Sequence, residues 1–186
     1  MVLRGRPADR PEAGRMSAAD QVRTWTFAPE AYDTPVASAL RRTYYDDVAS
    51  SYWGRPATTA EVDSGLTNDG VELLTPPTGQ FLVARYGGEP VGCGGVLLLD
   101  EGRAELTRVF LLPEFRGKGG ASALLGSLED AARALGATRM VLNTRLDLVE
   151  ARALYTRHGY AEIPAYCSGP YMEIWYGKDL VAAAAV

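Results

Sequence analysis

The sequence predicts one α/β domain. Three observations lead to this prediction: strand-like runs alternate with amphipathic helical segments, a glycine-rich turn joins a strand to a helix, and 186 residues suffice for one well-cored domain but not two. The domain is expected over residues 21–182. Residues 1–20 are rich in arginine and proline and are expected to form a disordered leader, in which Met16 is a candidate true start. Residues 183–186 form a short tail.

The N-terminal part of the domain is expected to contain a strand and two helices. Apolar and polar residues alternate over Val22–Phe27, as in a strand with one buried face. Thr34 fits the N-cap of a helix over about 35–50, and a proline follows at the first helical position. A second, short helix is expected over about 58–66.

Strands dominate the middle and the end of the domain. Residues 79–85 and 90–99 are strand-like runs separated by Gly87-Gly88, a signal typical of a β-hairpin. A further strand is expected over 104–112. The last strand is expected over 171–180.

A glycine-rich segment, Arg116–Ala121, lies between the strand that ends at Leu112 and a long amphipathic helix. The apolar residues of this helix recur at helical spacing until Gly136, namely Leu124, Leu125, Leu128, Ala131, Ala132 and Leu135. Free backbone amides at the start of a helix, together with the helix dipole, favour binding of an anion. Because Arg116 and Lys118 add positive charge, the segment predicts binding of a phosphorylated cofactor.

Two well-known phosphate-binding motifs do not match this segment. A P-loop requires Ser or Thr after Gly-Lys, and here Gly117-Lys118 is followed by Gly119. A dinucleotide-binding fingerprint that starts at Gly117 requires glycine at the position of Ser122. Both alternatives therefore fail on a specific residue.

The pattern that does match is Gln/Arg-x-x-Gly-x-Gly/Ala, with Arg116, Gly119 and Ala121. Between a strand and a helix, this pattern resembles the coenzyme A pyrophosphate loop of the GNAT superfamily of N-acetyltransferases. A second signature of that superfamily, Ala-x-x-Leu-Tyr-x-x-x-Gly-Phe/Tyr, is matched downstream, after a strand-like run over 140–144. Its matching residues are Ala151, Leu154, Tyr155, Gly159 and Tyr160. The two signatures cover residues 104–162.

The resemblance implies a GNAT-like acyl-CoA N-acyltransferase fold, with a central, mostly antiparallel sheet that is splayed at the cofactor site and flanked by helices. The expected element order, β-α-α-β-β-β-α-β-α-β-β, is the order of that fold. The resemblance further implies an enzyme that transfers the acetyl group of acetyl-CoA directly to a primary amine, with a small-molecule acceptor favoured. Two alternatives stay open: an acetyltransferase of protein or peptide amines (Nα or Lys), and a non-catalytic acyl-CoA-binding regulatory module.

The resemblance also assigns cofactor contacts. Backbone groups before the loop would hold the pantetheine arm and polarise the thioester carbonyl, and by position they belong to Val109, Phe110 and Leu111. The residues that would cradle the pyrophosphate are Arg116, Gly117, Lys118, Gly119, Gly120 and Ala121.

One position departs from the family pattern. Many relatives have an asparagine three residues before the alanine of the second signature, where it contacts the cofactor. Leu148 stands at the matching position here. Asn143 or Asp147 would have to substitute for it.

Two residues are expected to carry the proton transfers. Glu105 lies four residues before Val109, where several relatives have a glutamate base, and would take a proton from the amine directly or through water. In a regular strand it shares one face with residues 107, 109 and 111. Tyr155 matches the tyrosine of the second signature and would protonate the departing thiolate of coenzyme A.

The acceptor site is expected between the first two helices and the C-terminal strands. Aromatic rings beside carboxylates suit a cationic amine with an apolar body. The candidate residues are Tyr44, Tyr45, Asp46, Asp47, Tyr52, Trp53, Tyr166, Tyr171 and Trp175. Helical spacing also fits the alternative that some of these residues belong to the core.

Composition argues against several other classes. The net charge of −4 and the pI near 5.1 disfavour nucleic acid or an anionic membrane as the main partner. No run approaches the roughly 20 apolar residues of a membrane span. No signal peptide is recognisable after Met1, so a cytoplasmic location is expected. The resemblance also allows a homodimer, because dimers are common in the superfamily.

Cysteine and histidine content limits the available chemistry. Cys93 and Cys167 do not make a disulfide framework, and Cys93 is expected in the core. The single histidine, His158, is expected to face solvent from a helix. Since metal sites commonly need several histidine or cysteine ligands, no metal site is expected.

Overall fold

The structure is a computed structural model that describes residues 23–67, 69–99 and 102–180. The strands are β1 (Trp25–Pro29), β2 (Gly79–Tyr86), β3 (Glu89–Leu98), β4 (Arg103–Leu111), β5 (Arg139–Thr144), β6 (Ala161–Glu162) and β7 (Ile174–Asp179). The helices are α1 (Pro35–Trp53), α2 (Thr59–Leu66), α3 (Gly120–Ala134) and α4 (Val149–Arg157). The expected leader, Met16 as a start and the tail lie outside the described residues.

The seven described strands form one sheet in the order β1-β2-β3-β4-β5-β7-β6. Every neighbouring pair is antiparallel except β4 and β5, which run parallel. The elements expected from the sequence are present, with ends that differ by a few residues. The position of β7 between β5 and β6 depends on long-range pairing, which no local pattern predicts.

Local sequence signals explain where the helices begin. The Thr34 hydroxyl accepts a hydrogen bond from the Ala37 amide at 3.1 Å, which caps α1. Thr58 and Glu61 form a reciprocal capping box at the start of α2. The predicted hairpin turn is confirmed, because Gly87 and Gly88 have φ angles of 60° and 86°, which glycine adopts without steric cost.

The two faces of the sheet carry separate hydrophobic clusters. Helix α3 covers one face and buries Leu124, Leu125 and Leu128 completely; each such side chain contributes about 1.5–3 kcal/mol. Helix α1 covers the other face, where its Ala37 packs with Cys93 and other strand residues. The prediction that Cys93 lies in the core is confirmed, and burial raises the pKa of its thiol to about 12.

A helix can cross a membrane only if it is long and apolar enough. Within the described ranges, no helix combines the length and the hydropathy that crossing a bilayer requires.

Candidate active site

Strands β4 and β5 form a fork at the centre of the sheet. They pair over three positions, the last of which joins Glu105 to Val141. Beyond this pair, β4 continues to Leu111 and β5 to Thr144, and the described residues of the two strands pair no further. The β4 backbone beside the opening can therefore pair with an extended ligand, as an added strand would.

A β-bulge at Arg108 turns the backbone of β4 beside the fork. The pairing of β4 with β3 changes register between Cys93 and Gly95, and Arg108 has a φ of 53°, which non-glycine residues rarely adopt. The Arg108 guanidinium donates to the backbone carbonyl of Asp69 and lies 3.6 Å from the Asp69 carboxylate. These contacts stabilise the bulge from outside the strand.

The bulge changes which side chains of β4 share a face. Leu106 and Leu111 belong to the same cluster, on the α3 side, although they are an odd number of positions apart. The expectation that Glu105 shares one face with residues 109 and 111 is therefore wrong, because the extra residue shifts the alternation by one. Glu105 alternates with Leu106 and lies on the α1 side of the sheet.

The glycine loop, residues 116–122, opens α3 as the sequence predicts. Gly117 and Gly119 have φ angles of 74° and 79°, and a Cβ at either position would meet nothing within 4 Å. Gly119 is the N-cap residue of α3 and supplies no side-chain cap. The Arg116 amide donates to the Pro113 carbonyl at 3.1 Å, whereas none of the described residues accepts a hydrogen bond from the backbone amides of residues 117–122. These amides and the helix dipole are therefore available to an anion.

Trp25 of β1 packs against the glycine loop and hydrogen-bonds its backbone. Its Nε1 donates to the Lys118 carbonyl at 3.0 Å. A Cβ at Gly120 would lie 2.3 Å from the Trp25 ring, so this glycine permits close packing rather than an unusual φ. The Lys118 ammonium lies 4.8 Å from the centre of the Phe115 ring and 5.6 Å from that of Tyr86. Its charge is therefore held beside the loop.

Arg116 connects the glycine loop to β4 and α1. Its Nε donates to the Leu111 carbonyl at 3.0 Å, and its terminal nitrogen donates to Asp47 Oδ2 at 3.0 Å. The guanidinium carbon lies 5.9 Å from the centre of the Phe110 ring. Arg116 therefore fixes the start of the loop. Ala121, the last position of the first signature, packs against the α3-side cluster.

His158 contacts the start of α3. It is half-buried at the C-terminal end of α4, and its Nε2 lies 2.9 Å from Ser122 Oγ in the glycine loop. Among the described residues, no group of three or more His, Cys, Asp or Glu side chains is arranged to hold a metal ion.

Glu105 lies at the base of the fork and has a direct partner. Tyr166, in the segment between β6 and β7, donates its phenolic hydrogen to Glu105 Oε2 at 2.9 Å. Burial and the Glu105 charge raise the pKa of Tyr166 well above its usual range, so the phenol keeps its proton at neutral pH. A base candidate and a hydroxyl donor thus meet on the α1 side of the fork.

Tyr155 lies in α4, within the α3-side cluster. Its ring centre lies 5.9 Å from that of Tyr160 and 6.2 Å from that of Tyr176. Burial, with a smaller contribution from Tyr44 on α1, raises the pKa of Tyr155 above its usual range. The phenol is therefore protonated at neutral pH, as a general acid must be.

A groove of about 670 Å³ opens on the α1 side, next to the end of β5. We call it the aromatic groove; its lining includes Tyr44, Tyr45, Tyr52, Trp53, Glu61, Asn143, Thr144, Arg145, Leu148, Tyr171 and Met172. Tyr52 makes edge-to-face contacts with both Trp53 and Tyr171. The structure therefore brings together five aromatic residues that the sequence proposed for the acceptor site.

Other predicted site residues lie outside this lining. Asp47 pairs with Arg116, and Asp46 is exposed. Trp175 lies opposite Asn143 in the register of β5 and β7. Asn143 lines the aromatic groove, and its amide contacts Cys167 Sγ at 3.9 Å.

Arg145 is a site residue that the sequence reasoning missed. Its guanidinium makes two hydrogen bonds to Asp147, at 2.8 and 2.7 Å, and donates to the Val48 carbonyl at 2.9 Å. It also lies 5.2 Å from the centre of the Tyr52 ring. Arg145 thus joins the end of β5 to α1. Asp147, two residues after Arg145, could have indicated the local ion pair from the sequence. The contact with Val48 of α1 could not, because Val48 is distant in the sequence.

Comparison with known proteins establishes the family. The model of the acetyltransferase (GNAT) family matches residues 38–160. The chain therefore belongs to this family of enzymes, and the resemblance inferred from the two signatures is confirmed.

Individual relatives agree with this assignment. An IAA acetyltransferase from Azospirillum brasilense is 37% identical over 102 residues, which cover 54% of this chain and 65% of the relative. This chain thus spans less than two thirds of that relative's length.

Solved structures confirm the predicted fold class. A protein from Klebsiella pneumoniae assigned as an acyl-CoA N-acyltransferase is 30% identical, with a TM-score of 0.63 over 84% of this chain and 97% of that one. The PaiA N-acetyltransferase of Thermoplasma acidophilum, solved with coenzyme A, is 16% identical, with a TM-score of 0.65 over 84% and 99%. At 16% identity, the latter likeness concerns the fold alone.

Proposed function

We propose that this protein is an acetyl-CoA-dependent N-acetyltransferase that transfers the acetyl group directly to a primary amine of a small molecule. The observation that carries the proposal is the fork: Glu105 lies at its base, and the open glycine loop follows the β4 arm. Family membership supports the same cosubstrate. A regulatory module that only bound acyl-CoA would need neither Glu105 nor Tyr155.

The two proton-transfer residues lie on opposite sides of the sheet. Glu105 is on the α1 side, where the amine would enter through the aromatic groove. Tyr155 is in the cluster on the α3 side, where its phenol would protonate the departing thiolate. The β4 backbone over 109–111 would pair with the pantetheine arm and donate an amide hydrogen to the carbonyl oxygen as negative charge develops there.

The glycine loop would bind the pyrophosphate of the cosubstrate. The unpartnered amides of residues 117–122 and the N-terminal end of α3 supply hydrogen-bond donors and a favourable dipole. Lys118 adds a positive charge beside the loop. Arg116 fixes the loop to β4 through the Leu111 carbonyl.

The aromatic groove favours an acceptor with an apolar or aromatic body. Of its lining, Arg145 is paired with Asp147, and Glu61 is paired with Arg55 at 2.6 Å. With these charges already matched, the exposed rings of Tyr52, Trp53 and Tyr171 are the main binding surface. A monoamine on an apolar body suits this surface better than a polyamine does.

The test combines ligand binding with turnover. Acetyl-CoA and coenzyme A, at about 100 times their Kd, should each stabilise the protein by about 2.7 kcal/mol, whereas ATP and NAD at equal concentration should not. Release of free thiol should then be followed with a panel of arylalkylamines, polyamines and peptides. The Glu105→Gln variant should lose about 100-fold or more in kcat while binding coenzyme A normally. Glu89→Gln, at the exposed start of β3, is the control.

Each other outcome has a defined meaning. Stabilisation by coenzyme A without turnover of any amine favours the non-catalytic module. Turnover of peptides alone favours a protein or peptide acetyltransferase. If neither coenzyme A nor acetyl-CoA stabilises the protein, the glycine loop is structural and the proposal fails.

A further inference from the structure

Tyr166 meets the half-buried side chain of Glu105 on the α1 side of the fork. Its hydroxyl oxygen lies 2.9 Å from Glu105 Oε2. Asn143 and Thr144 line the aromatic groove, whereas Glu105 and Tyr166 lie behind this lining. Because Asn143 lies beside the Tyr166 phenol, that hydroxyl adjoins both a residue of the groove lining and the carboxylate.

The segment that carries Tyr166 is fixed at several points. Cys167 Sγ lies 3.9 Å from Asn143 Nδ2 and 3.7 Å from Met172 Sδ. The Ile163 amide donates to the Trp175 carbonyl at 2.9 Å. A phenol held in this way is preorganised, as proton transfer requires.

We propose that the phenol of Tyr166 carries the proton from the acceptor amine to Glu105. This inference rests on the proposed acetyl transfer. As the amine nitrogen forms its bond to the acetyl carbon, its proton passes to the Tyr166 oxygen while the phenolic proton passes to Glu105 Oε2. The C–S bond then breaks, and the thiolate takes the proton of Tyr155. Solvent removes the proton from Glu105 and returns one to Tyr155, so both residues regain their starting states.

The relay explains why a glutamate base has a tyrosine as its hydrogen-bond partner. The phenol already donates to Glu105 Oε2, so a relay through it uses a hydrogen bond that exists before the amine arrives. Passing the proton through the phenol keeps that hydrogen bond and still uses the carboxylate as the final acceptor. In this relay Tyr166 is a catalytic residue, because its oxygen would accept the proton of the amine.

The test uses Tyr166→Phe, which removes the hydroxyl and keeps the ring. We expect kcat for a reactive amine to fall about 100-fold, with an unchanged Kd for coenzyme A. The double variant Glu105→Gln/Tyr166→Phe should be no slower than Glu105→Gln alone, because both residues act on one proton. Tyr32→Phe, a half-buried tyrosine before α1, is the matched control and should keep normal activity.

A second measurement covers the case in which Tyr166→Phe perturbs folding. Fluorinated tyrosine at position 166 changes the acidity of the phenol with little change of shape, so kcat should change with the degree of fluorination. Wild-type or faster turnover of Tyr166→Phe overturns the relay, as do multiplicative losses in the double variant or a kcat insensitive to fluorination. If the wild-type protein itself shows no transfer, the proposed function has failed instead.

Discussion

The glycine loop and the aromatic groove are built in opposite ways. The loop is one short run of chain, residues 116–122, and offers backbone amides and a helix end. The groove is assembled from side chains of α1, α2, the end of β5 and the segment before β7. Recognition by backbone needs only glycines at fixed spacing, whereas recognition by side chains needs distant segments to meet. This difference fits the proposed roles, in which the loop binds a common cofactor and the groove binds a particular acceptor.

The sharpest test of this contrast is Gly120→Ala. Its Cβ would lie 2.3 Å from a Trp25 ring that is held by the Lys118 carbonyl and by stacking on Phe27. We expect a loss of about 1–3 kcal/mol in the free energy of unfolding and at least tenfold weaker coenzyme A binding. Urea unfolding and calorimetric titration measure the two effects.

Gly126→Ala is the matched control in the same helix. A Cβ there meets nothing within 4 Å, so the change should stabilise the protein by about 0.5–1 kcal/mol and leave coenzyme A binding unchanged. Equal behaviour of the two variants would contradict the role given to the contact with Trp25.

Substitutions of Tyr171 should change the KM of the amine and leave the Kd for coenzyme A unchanged. Tyr171 has a φ of 67° and contacts Tyr52, so its backbone and its ring can be tested separately. Tyr171→Ala and Tyr171→Gly should both raise the KM of an amine with an aromatic body by about 3–10-fold. The glycine variant should be the more stable by about 1 kcal/mol, because glycine adopts this φ freely. Steady-state kinetics and thermal unfolding check this pair.

A changed Kd for coenzyme A in either Tyr171 variant would show that the two regions are coupled. An unchanged KM for the amine would remove Tyr171 from the proposed acceptor site.

The smallest expected effect is that of Lys118→Ala. The ammonium is exposed, and its interaction with a phosphate should contribute up to about 1 kcal/mol, or about fivefold in the Kd for coenzyme A. The difference from the wild type should vanish near 1 M salt, where screening is strong. Arg42→Ala, an exposed cation on α1, should not change this Kd. A loss that persists at high salt would show that Lys118 acts by shaping the loop.

Much of the fold and of the loop could be predicted from the sequence. Caps such as Thr34 and turns such as Gly87-Gly88 act within a few residues, so their signals are readable without a partner. The bulge at Arg108 was not predictable, because it depends on Asp69, far away in the sequence. The face of Glu105 relative to residue 109 was misjudged for the same reason.

By itself, the sequence determined the order of elements, the glycine loop and the family to which two short signatures belong. Those features are local, and steric rules or hydrophobic periodicity act on them directly. Only the tertiary structure decided that Tyr166 meets Glu105, that Arg145 joins β5 to α1, and that Asp47 pairs with Arg116. Such contacts join residues distant in sequence, and their formation depends on how strands pair and helices pack over the whole domain.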